Sequence, residues 1–548
     1  GCTWRFGKEV RSDSPTCDME AQNLIFSFAA ANKCVIRSAD ITNAYFQGQL
    51  LFRVLLFRPP KGGLPGVPED AILRARVPVY GTRDAGRGFW KKLRNSIVGA
   101  GMEENKIFPA LYSYSIDGRC VAMLGTHVDD LLWACTPEGE GIIENIQKSF
   151  KFGAQDSRNF VYCGKKVEQD KDFNIKISCP ETTLRIEPIS IPKHMKMKDK
   201  ITEELVSQLR SVAGSLQWIA RSCRPDLSYR VSKMQSFVSK RTIADMKWCN
   251  KVVEYAQRTP DIGICFQSGT VNWETCVIGV ISDASHAAED LPSGESHRSQ
   301  GGRLIVLMSP SGVSGEEHHV HLIAWHSTVL RRVCRSTFQA ETYSLQQGVE
   351  EGDRIRACFA DVHGVIAERR NWEPISAAFR RQVWFTDCKS VEQALVKEAS
   401  DKYADKRLGI ELASLRQSLW RSPGQSVGDP AGDDSVPDNA TDMVRWIDTE
   451  VMMADPLTKA MEADKLCEVM KTGEWSTVQP IESVAKKKAK QLARRKTVDV
   501  DEECDGVELE PEAKMAKYIE ARIKDGTLHT GPGYGDTEIF PEIVTNVS

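Results

Sequence analysis

The residues in this sequence best placed to do chemistry are carboxylates that end or interrupt apolar runs. Asp40 closes CVIRSAD (34–40), and Asp129 and Asp130 stand together in CVAMLGTHVDDLLWACT (120–136), between two strand-like apolar stretches. A charge inside such a run is expensive unless a cation offsets it. Adjacent aspartates at the tip of a tight hairpin would display a carboxylate to a cleft. Phosphoryl transfer by two divalent ions wants that arrangement, because carboxylates from separate strands must hold the ions about 3.5–4 Å apart. A lone acidic pair is more often a plain turn, so its surroundings have to decide. A second acid set lies further on: Asp283 after VIGVIS, Glu341 in QAETYSLQQG near the start of a helical run, Asp387 at the end of VWFT, and Asp455 in MMADPLTKAM. Taken singly, each of these is more often a surface acid.

The elements that must position these acids follow from periodicity. In the first 150 residues CVIRSAD reads as a short buried strand, RPPKGGLPGVPED (58–70) as a Pro/Gly loop, and GFWKKLRNSIVGAGM (88–102) as a helix. Two strands should flank Asp129 and Asp130, giving an α+β unit over 1–150. Residues 151–272 read as largely helical, with a helical run over 201–241 broken at Pro225 and a short helix over 243–259. From 273 strands return in WETCVIGVISDAS and GGRLIVLMSPSG, a helix follows over 338–364, and VWFTDCKSV (383–391) opens another strand-to-helix unit. This makes 273–465 an α/β domain. The rest, 466–548, carries KKKAKQLARRK (486–496) and then eight acidic residues between Asp499 and Glu512, a charged tail expected to be partly disordered.

A chain of 548 residues calls for about three or four domains, and 41% hydrophobic with 27% charged residues is ordinary for a globular protein, which excludes collagen-like and wholly disordered classes. No stretch approaches the roughly 18 uncharged apolar residues of a membrane span, and the start, GCTWRFGKEV, has neither a signal-like apolar region nor an initiating Met. The sequence therefore reads as a soluble piece of a longer chain. Its 16 cysteines occur singly, without a CxxC, as reduced core thiols would. The net charge of −3 hides a basic first quarter, with 17 Lys and Arg against 11 Asp and Glu over residues 1–120. Seven basic residues between Arg74 and Arg94, interleaved with Tyr80, Phe89 and Trp90, suit a phosphate backbone as well as they suit a solvated helix face.

Motif order decides among these readings. ADITNAYFQGQL (39–50), VYGTRDAGRGFWKKL (79–93), IFPALYSYSIDGRCVAMLGTHVDDLLWA (107–134) and RSVAGSLQWIARSCRPDLSYRVSKMQSFV (210–238) resemble, in order, the first palm motif, the Y-G-L-K-Q-A-P-R-x-W block, the D-P-x-L-Y segment with its Y-V-D-D hairpin, and the connection block of copia-type LTR retrotransposon polyproteins. The segments around Asp283, Glu341, Asp387 and Asp455 resemble the ribonuclease H motifs of the same family. Collinear matches run over about 4–460.

That resemblance implies a right-hand polymerase palm with partial fingers over 1–150, a helical thumb/connection over 151–272, and a ribonuclease H-like domain over 273–465. It implies an RNA-directed DNA polymerase with ribonuclease H activity, two Mg2+ ions per centre with Mn2+ as a substitute, and RNA template, DNA primer, RNA–DNA hybrid and dNTPs as partners. Asp40 and Asp129 become the principal polymerase metal ligands, Asp130 an auxiliary acid, and Asp283, Glu341, Asp387 and Asp455 the nuclease quartet. Tyr45 takes the position of a bulky side chain that crowds a ribose 2′-OH, Asp84 the position of a nucleotide contact, and Arg83, Arg87, Lys91 and Lys92 contact nucleic acid. An intracellular place follows, in a cytoplasmic particle or the nucleus. No membrane partner is implied, and the oligomeric state is not legible.

Several positions depart from the family pattern. His127 stands where Tyr is usual, Gly86 where Pro is usual, and Asp84 where a Gln would meet the incoming nucleotide; a carboxylate facing a triphosphate is unfavourable. The basic fingers segment that precedes the palm in the family is not in this sequence. In DKRLGIELASLR (405–416), Arg407 and Gly409 replace a His and an Asp of the family's K-H-I-D-I-R-x-H segment. HHVHLIAWHS (318–327) would put His319 and His321 on one strand face, but no Cys or acid lies at a finger-like spacing to make a zinc site. Against the enzyme stand a catalytically degenerate, nucleic-acid-binding retroelement relic whose polymerase activity is reduced or removed, and a structural or interaction protein resting only on 486–512.

Overall fold

The computed structural model describes residues 11–478 apart from 237–240, 291–295, 314–316, 367–371, 398–402 and 421–441. The described residues belong to one compact unit. The charged runs 486–496 and 499–512 lie outside the described residues.

Helix α1 (Met19–Ala31) opens the described chain, with the Asp18 carboxylate accepting from Ala21 N as its N-cap. Leu24, Ile25, Phe26 and Phe28 are all fully buried, so this helix is covered on every side and belongs to the core. Strand β1 (Arg37–Ile41) follows. A two-stranded hairpin of β2 (Leu56–Phe57) and β3 (Leu73–Arg74) precedes α2 (Ala85–Gly99), and then come β4 (Glu103–Glu104), β5 (Leu111–Ile116), β6 (Arg119–His127), β7 (Asp130–Cys135), α3 (Glu140–Gln147) and β8 (Phe152–Ser157). Six of these strands form a sheet in the order β4-β5-β6-β7-β1-β8. Alternation sorts its side chains: Ala39, Ile41, Leu131 and Trp133 pack against Phe89, Leu93 and Ile97 of α2, while Ile36, Leu132 and Ala134 join α1 in the larger core. The predicted strands around the acid pair and the predicted helix over 88–102 are thus present.

Residues 151–272 are less helical than their spacing predicts. Strands β9 (Asn159–Tyr162), β10 (Lys165–Gln169), β11 (Ile175–Ser178) and β12 (Ile264–Phe266) make a four-stranded antiparallel sheet, order β12-β11-β10-β9. Phe160, Tyr162, Val167, Ile175, Ile177, Ile264 and Phe266 are buried at alternating positions, a period-two signal too short per strand to stand out against the long helical runs nearby. Short α4 (Pro180–Leu184) precedes α5 (Glu203–Ser222), whose core stripe is Leu205, Leu209, Val212, Leu216 and Ile219. Pro225 ends that run as predicted, starting the turn before α6 (Ser228–Ser236); α7 (Ile243–Arg258) begins at a capping box between Thr242 and Asp245.

The last sheet is built from β13 (Val277–Asp290), β14 (Ser296–Met308) and β15 (His318–Val329) in antiparallel register, with β16 (Gln382–Thr386) and β17 (Met443–Trp446) added in parallel beyond β13. Helix α8 (Thr337–Val362) packs on β13 and β14, α9 (Trp372–Phe379) packs on α8, and α10 (Lys389–Val396) and α11 (Lys406–Leu419) follow. After α12 (Asp464–Thr472), β18 (Glu474–Trp475) pairs with the start of β15. One continuous core runs through all of this: Asn23 donates to Ile323 O (2.9 Å), Trp273 Nε1 to Ser27 Oγ (3.1 Å), Trp325 Nε1 to Ala220 O (2.7 Å), and Lys106 pairs with Asp361 (2.7 Å). Among the described residues no helix is long and apolar enough to cross a membrane.

Candidate active sites

The first acid set sits where β1 meets the β6–β7 hairpin. His127 pairs with Asp130 across that hairpin, so Val128 and Asp129 alone make its turn. Val128 takes φ 59°, a left-handed conformation costly for a β-branched residue and of the sort that persists where surrounding structure over-determines it. Asp40 lies directly opposite Asp130 in the β1–β7 register, and Ile41 N donates to Asp129 O (3.0 Å). The three carboxyls share a field. Burial, then the charge of Asp129, raises Asp40 above the ordinary carboxyl range; burial, then Asp129 and Asp40, does the same for Asp130. Gly153 on β8 is what lets the neighbouring strand come close: a Cβ there would lie 2.9 Å from Thr42 Oγ1 and 3.2 Å from Asp40 Oδ2.

The residues expected around this set divide. The Tyr45 ring packs at a tilt against that of Tyr80, centroids 4.6 Å apart, and its hydroxyl is raised by burial and then by Asp129. Asp84 is not the bare charge that the sequence suggests: Arg53, which the sequence did not single out, donates two hydrogen bonds of 2.7 Å to it and holds its carboxyl below the usual range. Arg87 is likewise engaged, donating to the carbonyl and carboxylate of Asp13 and lying 5.1 Å over the Trp90 ring. Arg83 and Lys91 are exposed; Lys92 is half-buried, 5.6 Å from the Phe150 ring.

The second set converges more tightly. Asp283 comes from β13, Glu341 from the first turns of α8, and Asp387 from the end of β16, and one ligand atom of each lies within 4.8 Å of the others. Among the described residues, no such group contains Asp40, Asp129 and Asp130. Asp455 stands in a short turn beside this trio. Thr458 donates to Asp283 Oδ2, and Lys459 lies 2.7 Å from Asp455 Oδ1 and 4.0 Å from Asp283 Oδ2. The loop reaches the sheet because Gly302 faces it; a Cβ there would sit 2.7 Å from both Leu457 Cβ and Thr458 Cγ2. Thr449 donates to Asp387 Oδ2 (2.8 Å). Burial, then Asp455, pushes the Asp283 carboxyl up to about 7; burial raises Glu341 well above its ordinary range and also raises Asp387. Glu341 Oε2 is buried without a hydrogen-bond partner, so the site holds an acceptor facing nothing the protein supplies. Thr458 and Lys459 follow Asp455 in sequence at i+3 and i+4, a spacing that could have marked them.

The histidine run is structural. His321 is fully buried, its Nδ1 is 2.8 Å from Ser27 Oγ and its Nε2 3.0 Å from Gln267 O, and burial lowers it to about 4. A neutral ring with both nitrogens engaged is no zinc ligand. The segment 405–416 is helical from Lys406, capped by Asp405.

Residues 7–180 match the family model described as reverse transcriptase (RNA-dependent DNA polymerase). Two curated proteins of Arabidopsis thaliana, the retrovirus-related Pol polyproteins from transposons RE2 and RE1, are 24% and 23% identical over 389 residues, covering 63% of this chain. The chain spans about a quarter of the length of these relatives. Among solved structures, it is similar to the N-terminal RNase H domain of rv2228c from Mycobacterium tuberculosis fused to maltose binding protein (11% identity, TM-score 0.19, 36% of this chain and 99% of that one). It is also similar to RNase H1 of Halobacterium salinarum NRC-1 (12%, TM-score 0.18, 35% and 98%).

Proposed function

We propose that this chain, a relative of copia-type retrotransposon Pol polyproteins with a reverse transcriptase domain at residues 7–180, is an RNA-directed DNA polymerase with a second, ribonuclease H centre. The observation that carries the reading is that two acid sets, each drawn from positions far apart in sequence, gather at two different sheets. All donors are carboxylate oxygens, the ligand type suited to Mg2+ or Mn2+, and the unpartnered Glu341 Oε2 fits an ion at the second centre. In this reading Asp40 and Asp129 hold metal in the palm with Asp130 beside them, and Asp283, Glu341, Asp387 and Asp455 hold it in the nuclease. Two bound ions would supply charge neutralisation and activation of the attacking oxygen.

The chain's own residues do the rest. Tyr45, packed at a tilt against Tyr80, narrows the space beside a bound ribose and disfavours a 2′-OH. Arg83, Lys91 and Lys92 offer charge to a template–primer backbone, while Arg53 neutralises Asp84 where a triphosphate would lie. At the nuclease, Lys459 and Thr458 hold Asp283 and Asp455 against their mutual repulsion. The modules 1–150, 151–272 and 273–465 then act on RNA template, DNA primer, dNTPs and RNA–DNA hybrid.

Primer extension on an RNA template in Mg2+, with hybrid cleavage measured on the same preparation, tests this. Both activities should be present, and Asp129→Asn should remove extension alone. Absence of both from folded protein sinks the proposal. The looser spacing of Asp40, Asp129 and Asp130 favours one second reading, a nucleic-acid-binding relic that keeps hybrid cleavage without synthesis.

A further inference from the structure

Helix α7 presents a stripe that neither acid set uses. Trp248, Lys251, Tyr255 and Arg258 follow one another at spacings of three or four residues, which places them on one face, while Met246, Cys249, Val253 and Ala256 of the opposite face are buried. The exposed positions of this helix are Lys247, Lys251, Glu254 and Arg258, three cations to one acid, with Trp248 and Tyr255 half-buried between them. Arg230 of α6 completes the arrangement, its guanidinium 4.3 Å over the Tyr255 ring. Tyr255 is fixed from the other side by its hydroxyl, which donates to Asp226 Oδ2 (3.3 Å).

These residues line a cavity of about 280 Å3 whose far wall is Ala460, Met461 and Glu462. That wall continues the loop carrying Asp455, Thr458 and Lys459. Arg230 Nη2 donates to Met461 O (3.2 Å), so the stripe and the nuclease loop are tied together. Gln300 Nε2, on the strand next to Asp283, also donates to Ser232 Oγ of α6 (3.0 Å). Three acids lie nearby: Glu254 pairs with Arg258 at 3.9 Å, Glu462 lines the cavity, and the buried Asp226 is already paired with Arg224 at 2.8 Å.

We propose that this groove binds the sugar-phosphate backbone of a nucleic-acid strand of the hybrid where it leaves the nuclease centre, with Lys251 and Arg258 on phosphates. The inference rests on the nuclease reading above. Cations interleaved with aromatic rings are the general means of holding such a backbone without regard to sequence.

The test uses the full chain and a fluorescently labelled RNA–DNA hybrid, with anisotropy read in EDTA from about 50 to 300 mM NaCl. Replacing both Lys251 and Arg258 by Ala should weaken binding and flatten the plot of log K against log salt by about two, one phosphate contact per lost cation. In Mg2+ the same variant should show a raised KM for hybrid cleavage at little-changed kcat, and an unchanged melting temperature. An unaltered salt slope and KM overturns the groove. The parent reading is tested separately by Asp387→Asn: if that variant still cleaves hybrid, the nuclease assignment fails whatever the groove variant does.

Discussion

Arg53 grips Asp84 through two parallel hydrogen bonds, Nε to Oδ2 and Nη2 to Oδ1, each 2.7 Å long. The sequence alone makes Asp84 a handicap, a carboxylate beside a triphosphate. Asp84→Gln leaves the Arg53 cation unpaired and should lower the nucleotide KM. Removing the cation is the informative change. Arg53→Ala exposes the carboxylate and should raise KM by about fivefold, the equivalent of about 1 kcal/mol of like-charge repulsion in a solvated site. Arg53→Ala with Asp84→Gln should recover most of the loss. Steady-state primer extension over a range of dNTP concentrations reads all three, and equal KM values for Arg53→Ala and the parent would remove Asp84 from the nucleotide site.

The nuclease acids give the fold a pH dependence opposite to that of an ordinary salt-bridged aspartate. Asp283 is pushed up to about 7, whereas an unfolded aspartate ionises near pH 4. Between those values the folded state binds more protons than the unfolded, so without metal stability falls as pH rises from about 4 to about 7. Mg2+ needs the ionised carboxylates, so its stabilising effect should appear as pH rises through about 7 and vanish below it. Thermal melts in EDTA and in Mg2+ across pH 5 to 8 would show the two curves diverging toward high pH. Asp283→Asn should flatten the EDTA curve, and parallel curves at every pH would contradict the metal assignment.

Arg224 and Asp226 show why a motif can be legible while its meaning is not. The sequence reads R-P-D as part of a block characteristic of a connection segment. In the structure both side chains are almost fully buried, bonded at 2.9 and 2.8 Å, with Arg224 also donating to Thr259 O. The motif pins the α5–α6 corner to the end of α7. Asp226→Ala leaves a buried, uncompensated guanidinium and should cost about 3–5 kcal/mol. Urea unfolding followed by circular dichroism measures this, and a loss under about 1 kcal/mol would mean that the pair relaxes into water.

What could be read from the sequence was whatever repeats locally. The acid pair between two apolar runs, the stop at Pro225 and the helix carrying Glu341 all follow from patterns within some 20 residues. Strands β9 to β12 escaped because each is only three to five residues long and β12 lies about 90 residues from its partner β11. Pairings such as Arg53 with Asp84 escaped for the same reason: 31 residues of chain separate them, and only the folded hairpin brings them together. Sequence spacing also divides the chain at about residue 273, where the structure instead has a shared core.

That shared core bears on whether the two centres are separable. Helix α1 lies against β15 through Asn23 to Ile323 O and Ser27 to His321, and the Phe28 ring meets Trp273 edge-on at 5.2 Å. Strand β18, which ends at Trp475, closes the start of β15. A fragment of 273–465 loses both covers and exposes side chains whose burial is worth about 1.5–3 kcal/mol each, so it should be poorly soluble or inactive. The chemistry should nonetheless divide cleanly in the intact chain. Asp387 and Asp129 belong to different sheets, and a carboxylate-to-amide change removes one ligand without removing packing volume. Asp387→Asn should therefore abolish hybrid cleavage while primer extension persists, and Asp129→Asn should do the reverse. A fragment that cleaves hybrid as well as the whole chain would show the core to be dispensable. Loss of both activities from Asp387→Asn, with the melting temperature kept, would show that the two centres work as one.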